Sequence, residues 1–379
     1  MLQLVFGRSG YGKTEYIRNR IADMIDRGET QVLLITPEQY SFISEYSLLE
    51  QLGEARAHAV RCLSFSRLCD ECDRLYGADG RKPLTKGGKA ILMKTAIDQV
   101  RPDLELFEKK GSSAAFVQSM TGIYDEMKSC NLSGAAVYAA ADDLDTDILR
   151  CKMRDFSRIM TAYEALLGDR FADPANRLTR LYDQIKDQNY FAGQTVFLDG
   201  FNGFVAQEYK ILERIIAEAK AVYIALDSDS FGMGDGYDLF AYVNETAGIL
   251  QRIADKAGVP TNALQLSENC RTDYADLRRV EQYIFADQAP ETEIPAEHIR
   301  LYAASTVTDA CNDLALQIKG LLRCGYRAGE IAVTMRDREK YAPVLASAFE
   351  KYGVPYLDVI SNNNRLFSVS DQSKSLVIE

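Results

Sequence analysis

The sequence predicts an α/β protein, and three observations carry that prediction. A strand-helix-strand pattern opens the chain, two apolar runs of strand length follow a long helical stretch, and strand and helix patterns alternate again after Pro295. Continuous apolar runs are typical of strands in a parallel sheet that helices cover on both faces. At 379 residues the chain is long enough for two or three domains.

The first lobe begins with an apolar run at residues 2–6, followed by the glycine-rich turn GRSGYGKT. An amphipathic stretch then places Ile17, Ile21 and Ile25 on one helical face, and Gly28 ends it. A second apolar run occupies residues 31–35. This order of strand, turn, helix and strand predicts a βαβ unit.

Residues 64–188 predict a helical insertion, because apolar residues recur three and four positions apart over most of this stretch. Strand patterns return at residues 195–198 and 221–226, so the first sheet resumes after the insertion. We therefore predict a P-loop lobe formed by residues 1–63 and 189–290.

Residues 295–379 predict the beginning of a second α/β lobe. Strand patterns at residues 299–304, 331–335 and 354–357 alternate with two helical patterns, which gives a β-α-β-α-β order. Three strands make a thin sheet, and the chain turns polar from Ser361 onward. The lobe is therefore expected to be partial.

The composition is that of an ordinary globular protein, with 47% hydrophobic and 26% charged residues. The 44 Lys and Arg against 55 Asp and Glu give a net charge of −11, which removes the simple electrostatic argument for nucleic-acid binding. No stretch approaches the roughly 18 consecutive apolar residues of a membrane span, and the N-terminus lacks a signal-peptide pattern. We expect a cytoplasmic protein without membrane contact.

The eight cysteines are scattered, which favours reduced thiols over a disulfide framework. Cys69 and Cys72 form the one CxxC pair, and no second pair follows to complete a zinc site. We interpret them as two thiols on a helix, with metal ligation as the alternative. Because His58 and His298 are the only histidines, His-based triads are not expected.

Residues 7–14 satisfy the P-loop pattern G-x4-G-K-[ST] between a strand and a helix. Backbone N–H groups of such a loop surround a polyphosphate at the positive end of the helix. Lys13 would neutralise the β- and γ-phosphates, and the Thr14 hydroxyl would bind Mg²⁺. A glycine-rich turn with a solvated lysine is the alternative. The predicted ATP-binding residues of this loop are Gly7, Ser9, Gly10, Gly12, Lys13 and Thr14.

A P-loop site also needs a carboxylate at the end of a neighbouring strand to hold the metal, and Asp199 follows the strand at residues 195–198. We predict that Asp199 and Thr14 bind Mg²⁺ together. The next residue is Gly200, where an efficient NTPase has an acidic residue that orients the attacking water. Asp227 and Asp229, after the next strand, are further candidates, with a plain turn as the alternative.

Several segments together resemble one family: GRSGYGKT, ITPEQYSF, LSFSRLC, LTKGGKAILMKTAI, VFLDGFNGFVAQE, LSENCRT and GYRAGEIAVTMRDREKY. Their order and spacing over residues 1–358 are similar to the N-terminal part of AddB-type subunits of bacterial AddAB helicase-nucleases. That family is related to UvrD-like superfamily 1 helicases. The PEQ and DGF-x-x-F signatures are fairly specific to AddB-type proteins.

The resemblance implies a RecA-like P-loop lobe with a helical insertion, followed by a partial second RecA-like lobe. It implies that Arg271 reaches the γ-phosphate, with Asn269 beside it, and Arg336 is a weaker match to a second-lobe arginine. For both arginines an ion pair is the alternative. The implied partners are DNA and an AddA-type helicase-nuclease subunit.

The chain also departs from UvrD-like motors. Gly200 stands where they have glutamate, and a Gly-Asp-x-x-Gln sequence is absent after Leu226, so we expect ATP to be bound and hydrolysed slowly or not at all. AddB-type proteins carry an iron–sulfur cluster in a C-terminal nuclease domain, and none of the cysteines here matches its ligands. We expect the cluster only in that C-terminal part, and we expect this chain to be a fragment or the product of a shortened reading frame.

DNA contact is expected at the PEQ and SFSR loops, by Ser64, Phe65 and Arg67, with a helix start packed by Phe65 as the alternative. Basic residues including Lys89 are further candidates. The resemblance thus implies an ATP-binding, DNA-contacting subunit in recombinational double-strand break repair. A self-sufficient P-loop ATPase or DNA helicase and a small-molecule P-loop kinase are the alternatives.

Overall fold

A computed structural model of the protein describes residues 1–78, 80–110, 113–229, 239–286, 290–291, 293–360 and 365–368. The chain forms two compact units, Met1–Asp273 and Tyr274–Glu379. Among the residues so described, no helix is at once long enough and apolar enough to cross a membrane.

The first unit is built on a parallel sheet of six strands. The strands of this unit are β1 (Leu2–Gly7), β2 (Val32–Ile35), β3 (Val60–Leu63), β4 (Lys82–Pro83), β5 (Phe171–Ala172), β6 (Thr195–Leu198), β7 (Ala221–Asp227) and β8 (Thr261–Gln265). The six strands of the main sheet lie in the order β3-β2-β6-β7-β1-β8, and β4 and β5 form a separate two-stranded sheet. The predicted α/β class with a parallel sheet is confirmed.

Helices connect these strands and form the insertion between β3 and β6. They are α1 (Lys13–Asp26), α2 (Ser41–Leu52), α3 (Glu54–Ala57), α4 (Phe65–Tyr76), α5 (Lys86–Val100), α6 (Ala114–Ser129), α7 (Gly134–Ala141), α8 (Asp147–Leu167), α9 (Arg177–Ile185), α10 (Ala206–Glu218) and α11 (Ala241–Lys256). Short 3-10 helices occupy Arg101–Asp103, Glu108–Lys110 and Pro174–Asn176.

Side chains alternate along each central strand between two apolar clusters, one on each face of the sheet. In β2, Leu33 and Ile35 join the cluster formed with α4, α9, α10 and α11. Val32 and Leu34 point the other way and join the cluster formed with α1 and α2. Burial on both faces explains why these strands appear in the sequence as continuous apolar runs.

The helical insertion has an apolar core of its own, in which α5, α6 and α8 pack around residues such as Met93, Tyr124 and Phe156. Two helices of the predicted insertion do not belong to that core. Leu68 of α4 and Leu181 of α9 pack into the main cluster beside the sheet. The independent helical core therefore covers only the middle of residues 64–188.

Cys69 and Cys72 lie on α4, as predicted, and both side chains are buried against the main core. Burial raises the pKa of each thiol to about 12. At neutral pH both are therefore protonated thiols that act as small apolar side chains.

The buried ammonium group of Lys89 joins α5 to α6 and to the segment after β5. Lys89, 8% exposed, forms ion pairs with Asp125 and with the nearly inaccessible Asp173, the latter at 2.8 Å. The Tyr163 hydroxyl donates a hydrogen bond of 2.6 Å to Asp173. The expectation that Lys89 contributes to a DNA-binding surface is therefore wrong, because its ammonium group is enclosed by the helical core.

The second unit combines helices with a small sheet. Its elements are α12 (Ala275–Tyr283), α13 (Val307–Arg323), a 3-10 helix (Ala328–Glu330), β9 (Ala332–Thr334), α14 (Arg338–Tyr352), β10 (Leu357–Ile360) and β11 (Arg365–Ser368). Ala315 and Ile318 of α13 pack against Leu345 and Phe349 of α14 in a separate core. Helix α12 lies in this unit, although the sequence assigned it to the first lobe.

The predicted β-α-β-α-β order of this unit is only partly right. Residues 299–304 are not a strand, and Leu301 is 97% exposed, because none of the strands described here pairs with them. The predicted strand at residues 354–357 begins only at Leu357. Part of the polar tail forms β11, which pairs antiparallel with both β10 and β9, while residues 369–379 lie outside the described part.

Replacing Lys89 by alanine should lower the free energy of unfolding of the first unit by about 3 kcal/mol, because Asp173 keeps a buried charge without its partner. Urea denaturation followed by circular dichroism measures the change. Lys94→Ala on the same helix, where the ion pair with Asp98 is exposed, should cost no more than about 0.5 kcal/mol. Equal losses in the two variants would show that Lys89 does not compensate a buried charge on Asp173.

Candidate nucleotide-binding site

The carboxyl ends of four neighbouring strands meet at one edge of the parallel sheet. β1 leads into the glycine-rich loop, β6 into Asp199, β7 ends at Asp227, and β8 leads into residues 266–272. β7 lies between β6 and β1, and β8 lies on the other side of β1. Open parallel sheets bind their ligands outside this edge.

The glycine-rich loop of residues 7–14 joins β1 to α1 through backbone that glycine adopts most easily. Gly10 and Gly12 have φ angles of 86° and 77°, in the left-handed region. Gly12 is the N-cap of α1 and has no side chain to accept hydrogen bonds from the first helical turn. The N–H groups of that turn, with the positive end of the helix dipole, therefore form a site for an anion.

Lys13, the first residue of α1, turns its side chain back over the loop. Its Nζ donates hydrogen bonds to the carbonyl oxygens of Gly7 (2.7 Å) and Arg8 (2.9 Å), and it forms an ion pair with Asp227. A second ion pair joins Arg8 to Asp229 at 2.8 Å. The two strand-end aspartates singled out in the sequence are thus both paired with cations of the loop.

Thr14 and Asp199, predicted to bind Mg²⁺ together, lie close enough for the Thr14 hydroxyl to stabilise the Asp199 carboxylate. Asp199 is only 9% exposed, and burial raises the pKa of its carboxyl group. The Thr14 hydroxyl, the Gly200 N–H and the Lys13 charge act in the opposite direction without cancelling the effect of burial. A divalent cation would supply the missing positive charge, and a hydroxyl and a carboxylate are oxygen donors that suit Mg²⁺.

Gly200 lies at a place where a side chain is difficult to fit. Its φ angle is 80°, which disfavours any residue with a Cβ atom. A Cβ atom there would lie 3.3 Å from the Tyr40 ring and 3.4 Å from the Pro37 ring. The missing acidic residue after Asp199 is therefore a property of the fold around this turn as well as of the sequence.

The predicted DNA-contacting residues lie at the start of α4. Ser64 is fully buried and caps the helix by accepting a hydrogen bond from the Arg67 N–H (3.2 Å). The Phe65 ring is buried edge-on against Phe201 of the DGF-x-x-F motif, with centroids 5.8 Å apart. The structure thus shows the packed helix start and corrects the expected direct contacts for these two residues. Arg67 remains partly exposed and pairs with Glu45 at 3.1 Å.

Glu38 of the PEQ motif fastens its loop to the same helix start, a role that the sequence did not indicate. Its carboxylate accepts a hydrogen bond from the Ser66 N–H at 3.1 Å. Burial by itself raises the pKa of Glu38. Hydrogen bonds from Ser66 and Ser64 and the charge of Arg177 outweigh this effect, so the pKa of Glu38 lies below its usual value. The ionised carboxylate lies at the N-terminus of α4, where the positive end of the helix dipole stabilises its negative charge. The PEQ and SFSR loops therefore form one structure at the ends of β2 and β3.

The segment after β8 lies directly against the glycine-rich loop. The Cys270 N–H donates to the Gly10 carbonyl at 2.8 Å, and a Cβ atom at Gly10 would lie 2.9 Å from the Arg271 Cβ. The Asn269 side chain accepts a hydrogen bond from the Arg271 N–H at 2.9 Å, which shapes this turn. The structure thus brings Arg271 to the loop, and its implied contact with the γ-phosphate stays a prediction.

Cys270 and Arg336 are both exposed, one beside the glycine-rich loop and one in the second unit. Cys270 has an exposed thiol 3.6 Å from where a Cβ atom of Gly12 would stand. The sequence did not predict Cys270 at the site, and its position beside the NCRT arginine is the one signal that could have indicated this location. Arg336 is exposed and follows β9 in the second unit. Its expected role as a second-lobe arginine stays a prediction.

The comparisons with known proteins agree with the resemblance seen in the sequence. A family model described as "ADDB, N-terminal" matches residues 4–281. Relatives that carry the name of an ATP-dependent helicase/deoxyribonuclease subunit include those of Clostridioides difficile (strain 630), 28% identical over 370 residues, and Clostridium tetani (strain Massachusetts / E88), 28% identical over 381 residues. These alignments cover 93% and 96% of this chain but 32% and 33% of the relatives. The chain therefore spans about a third of the length of these relatives.

Nucleotide bound in the loop should shield the Cys270 thiol, because that thiol is exposed directly beside Gly12. We expect saturating MgATP to slow maleimide labelling of Cys270 several-fold, as measured by peptide mass spectrometry. Cys130 and Cys324, which are exposed elsewhere, are internal controls whose labelling should not change. Equal labelling of Cys270 with and without nucleotide would argue against a ligand at this loop.

Proposed function

Because the chain belongs to the ADDB N-terminal family, we propose that it is the ATP-binding, DNA-contacting, helicase-like part of a helicase-nuclease. The relatives' name describes an ATP-dependent helicase and deoxyribonuclease. The word subunit in that name supports a partner chain, and the family resemblance makes this an AddA-type subunit. The proposed process is recombinational repair of DNA double-strand breaks.

The observation that carries the nucleotide part of the proposal is the assembly of one site from three separate segments. The loop of residues 7–14, the carboxylate of Asp199 and the NCRT turn lie far apart in sequence but adjoin at one sheet edge. In the proposed complex, the loop N–H groups and Lys13 hold the phosphates, while Thr14 and Asp199 hold Mg²⁺. Arg271 then provides a second cation for the γ-phosphate.

A RecA-like architecture for the first unit is part of this proposal. Its support is the parallel six-stranded sheet with the glycine-rich loop at the carboxyl edge and helices on both faces. The small antiparallel sheet of the second unit does not give comparable support for a second RecA-like lobe.

Slow hydrolysis follows from the surroundings of Asp199. The strand that carries this carboxylate continues into Gly200, whose left-handed backbone lies against Pro37 and Tyr40. An acidic side chain that orients the attacking water therefore has no place at that position. Asp227, another carboxylate at this edge, is paired with Lys13. We infer that the site binds ATP and hydrolyses it slowly.

A self-sufficient P-loop ATPase or helicase is the second candidate. Its favourable observation is that Lys13 and Thr14 both lie near the Asp199 carboxylate, and these are the kinds of group that P-loop NTPases use. The two candidates differ in turnover and not in nucleotide binding, so two separate measurements are needed.

Nucleotide binding should appear as a rise in the thermal unfolding midpoint. MgATP at about 100 times its Kd corresponds to about 2.7 kcal/mol of added stability, or a few degrees. Lys13→Ala should abolish the rise because the phosphates lose their principal cation, whereas Lys94→Ala on the exposed face of α5 should retain it. Absence of any shift in the unmodified protein at millimolar MgATP would refute the proposed site.

Turnover should be slow with or without single-stranded DNA. We expect steady-state phosphate release below about 0.1 s⁻¹, roughly a hundredfold under the median enzyme. Lys13→Ala provides the background from contaminating ATPases. Gly200→Glu should not increase the rate, since the added side chain is strained and crowded by Tyr40. Brisk release that depends on Lys13 would instead establish the self-sufficient ATPase.

A further inference from the structure

The ammonium group of Lys13 has no free donor in this structure. An ammonium carries three N–H donors. Two of them reach the carbonyl oxygens of Gly7 and Arg8, and the third position is taken by the carboxylate of Asp227. A phosphate oxygen can therefore approach Lys13 closely only if one of these three partners withdraws.

Asp227 is the partner that can withdraw most easily. Gly7 is the last residue of β1, and the Arg8 carbonyl also accepts a hydrogen bond from the Tyr11 N–H at 3.1 Å, so both carbonyls are held by the loop itself. The Asp227 side chain is 41% exposed, whereas that of Lys13 is 11% exposed. A half-exposed carboxylate can turn into water with little loss of free energy.

The sheet register explains why Asp227 occupies this place. β7 runs parallel to β1, and Asp227 is aligned with Gly7, the first residue of the loop. The carboxylate also adds negative charge beside Asp199, where the charged phosphates of a nucleotide would enter. A negative charge at this position repels an incoming anion and so weakens the attraction of the loop for it.

We propose that Asp227 is a counterion latch, which pairs with Lys13 and must release it before a nucleoside triphosphate binds. This proposal rests on the proposed function of the loop. Asp227 acts through Lys13 and is a positioning residue. Because the latch must open first, the site binds nucleotide less tightly than the loop would without Asp227. The site therefore exchanges its ligand readily.

The test is isothermal titration of MgATP into the unmodified protein and the Asp227→Asn variant. The amide keeps the shape of the carboxylate but loses its charge, so we expect Asn at this position to bind MgATP about tenfold more tightly. The same gain is expected for ATP in EDTA, because the latch does not involve the metal. If Asp227→Asn folds poorly, Asp227→Ser serves the same purpose.

Asp26→Asn is the matched control for net charge. It removes the same charge from the far end of α1, where Asp26 pairs with the exposed Arg56, and should leave affinity unchanged. An equal gain in this control would show a long-range charge effect and overturn the latch. If Asp227→Asn weakened the binding of MgATP but not of ATP in EDTA, Asp227 would be assigned to the metal. That result would also overturn the latch.

Failure of the latch and failure of the proposed function are distinguishable. If the unmodified protein binds MgATP, Lys13→Ala does not, and Asp227→Asn shows no gain, the ATP site stands and the latch is refuted. If neither the unmodified protein nor Asp227→Asn binds nucleotide, the proposed function fails and the latch fails with it.

Discussion

The parallel alignment of β6, β7 and β1 is the constraint on which the rest of the site depends. Because all three strands run in one direction, their carboxyl ends come to the same edge and deliver Asp199, Asp227 and the glycine-rich loop there. Burial on both faces of the sheet keeps this alignment, since a shift by one residue would move apolar side chains from one core cluster to the other. The chemistry of the edge is thus maintained by packing several residues away from it.

Charge balance at this edge explains the local arrangement. Asp199 is buried and lacks enough positive charge around it, while Lys13 is fully engaged with two carbonyl oxygens and Asp227. The protein's own groups therefore satisfy the Lys13 ammonium but leave the buried Asp199 carboxylate poorly compensated. Mg²⁺ and a triphosphate would correct both conditions together, because the metal compensates Asp199 and the phosphates replace Asp227 beside Lys13.

The motifs that most resemble the family have two kinds of role in the structure. Residues of the glycine-rich loop and the NCRT turn lie at the candidate site itself. Phe65 and Phe201, by contrast, pack on each other, and Glu38 fastens the PEQ loop to the start of α4. These residues give neighbouring strand ends a fixed shape, and Arg67 is the predicted DNA-contacting residue that keeps access to solvent.

The first βαβ unit, the P-loop and the resumption of the sheet were predictable from the sequence, because local periodicity and a short motif carry that information. The pairing of Asp227 with Lys13, the enclosure of Lys89 and the burial of Phe65 depend on contacts between segments distant in sequence, and local patterns do not encode such contacts. The second sheet illustrates the same limit. The apolar pattern of residues 299–304 is typical of a strand, but a strand forms only where another chain segment offers its hydrogen bonds, and β9 pairs with β11 instead.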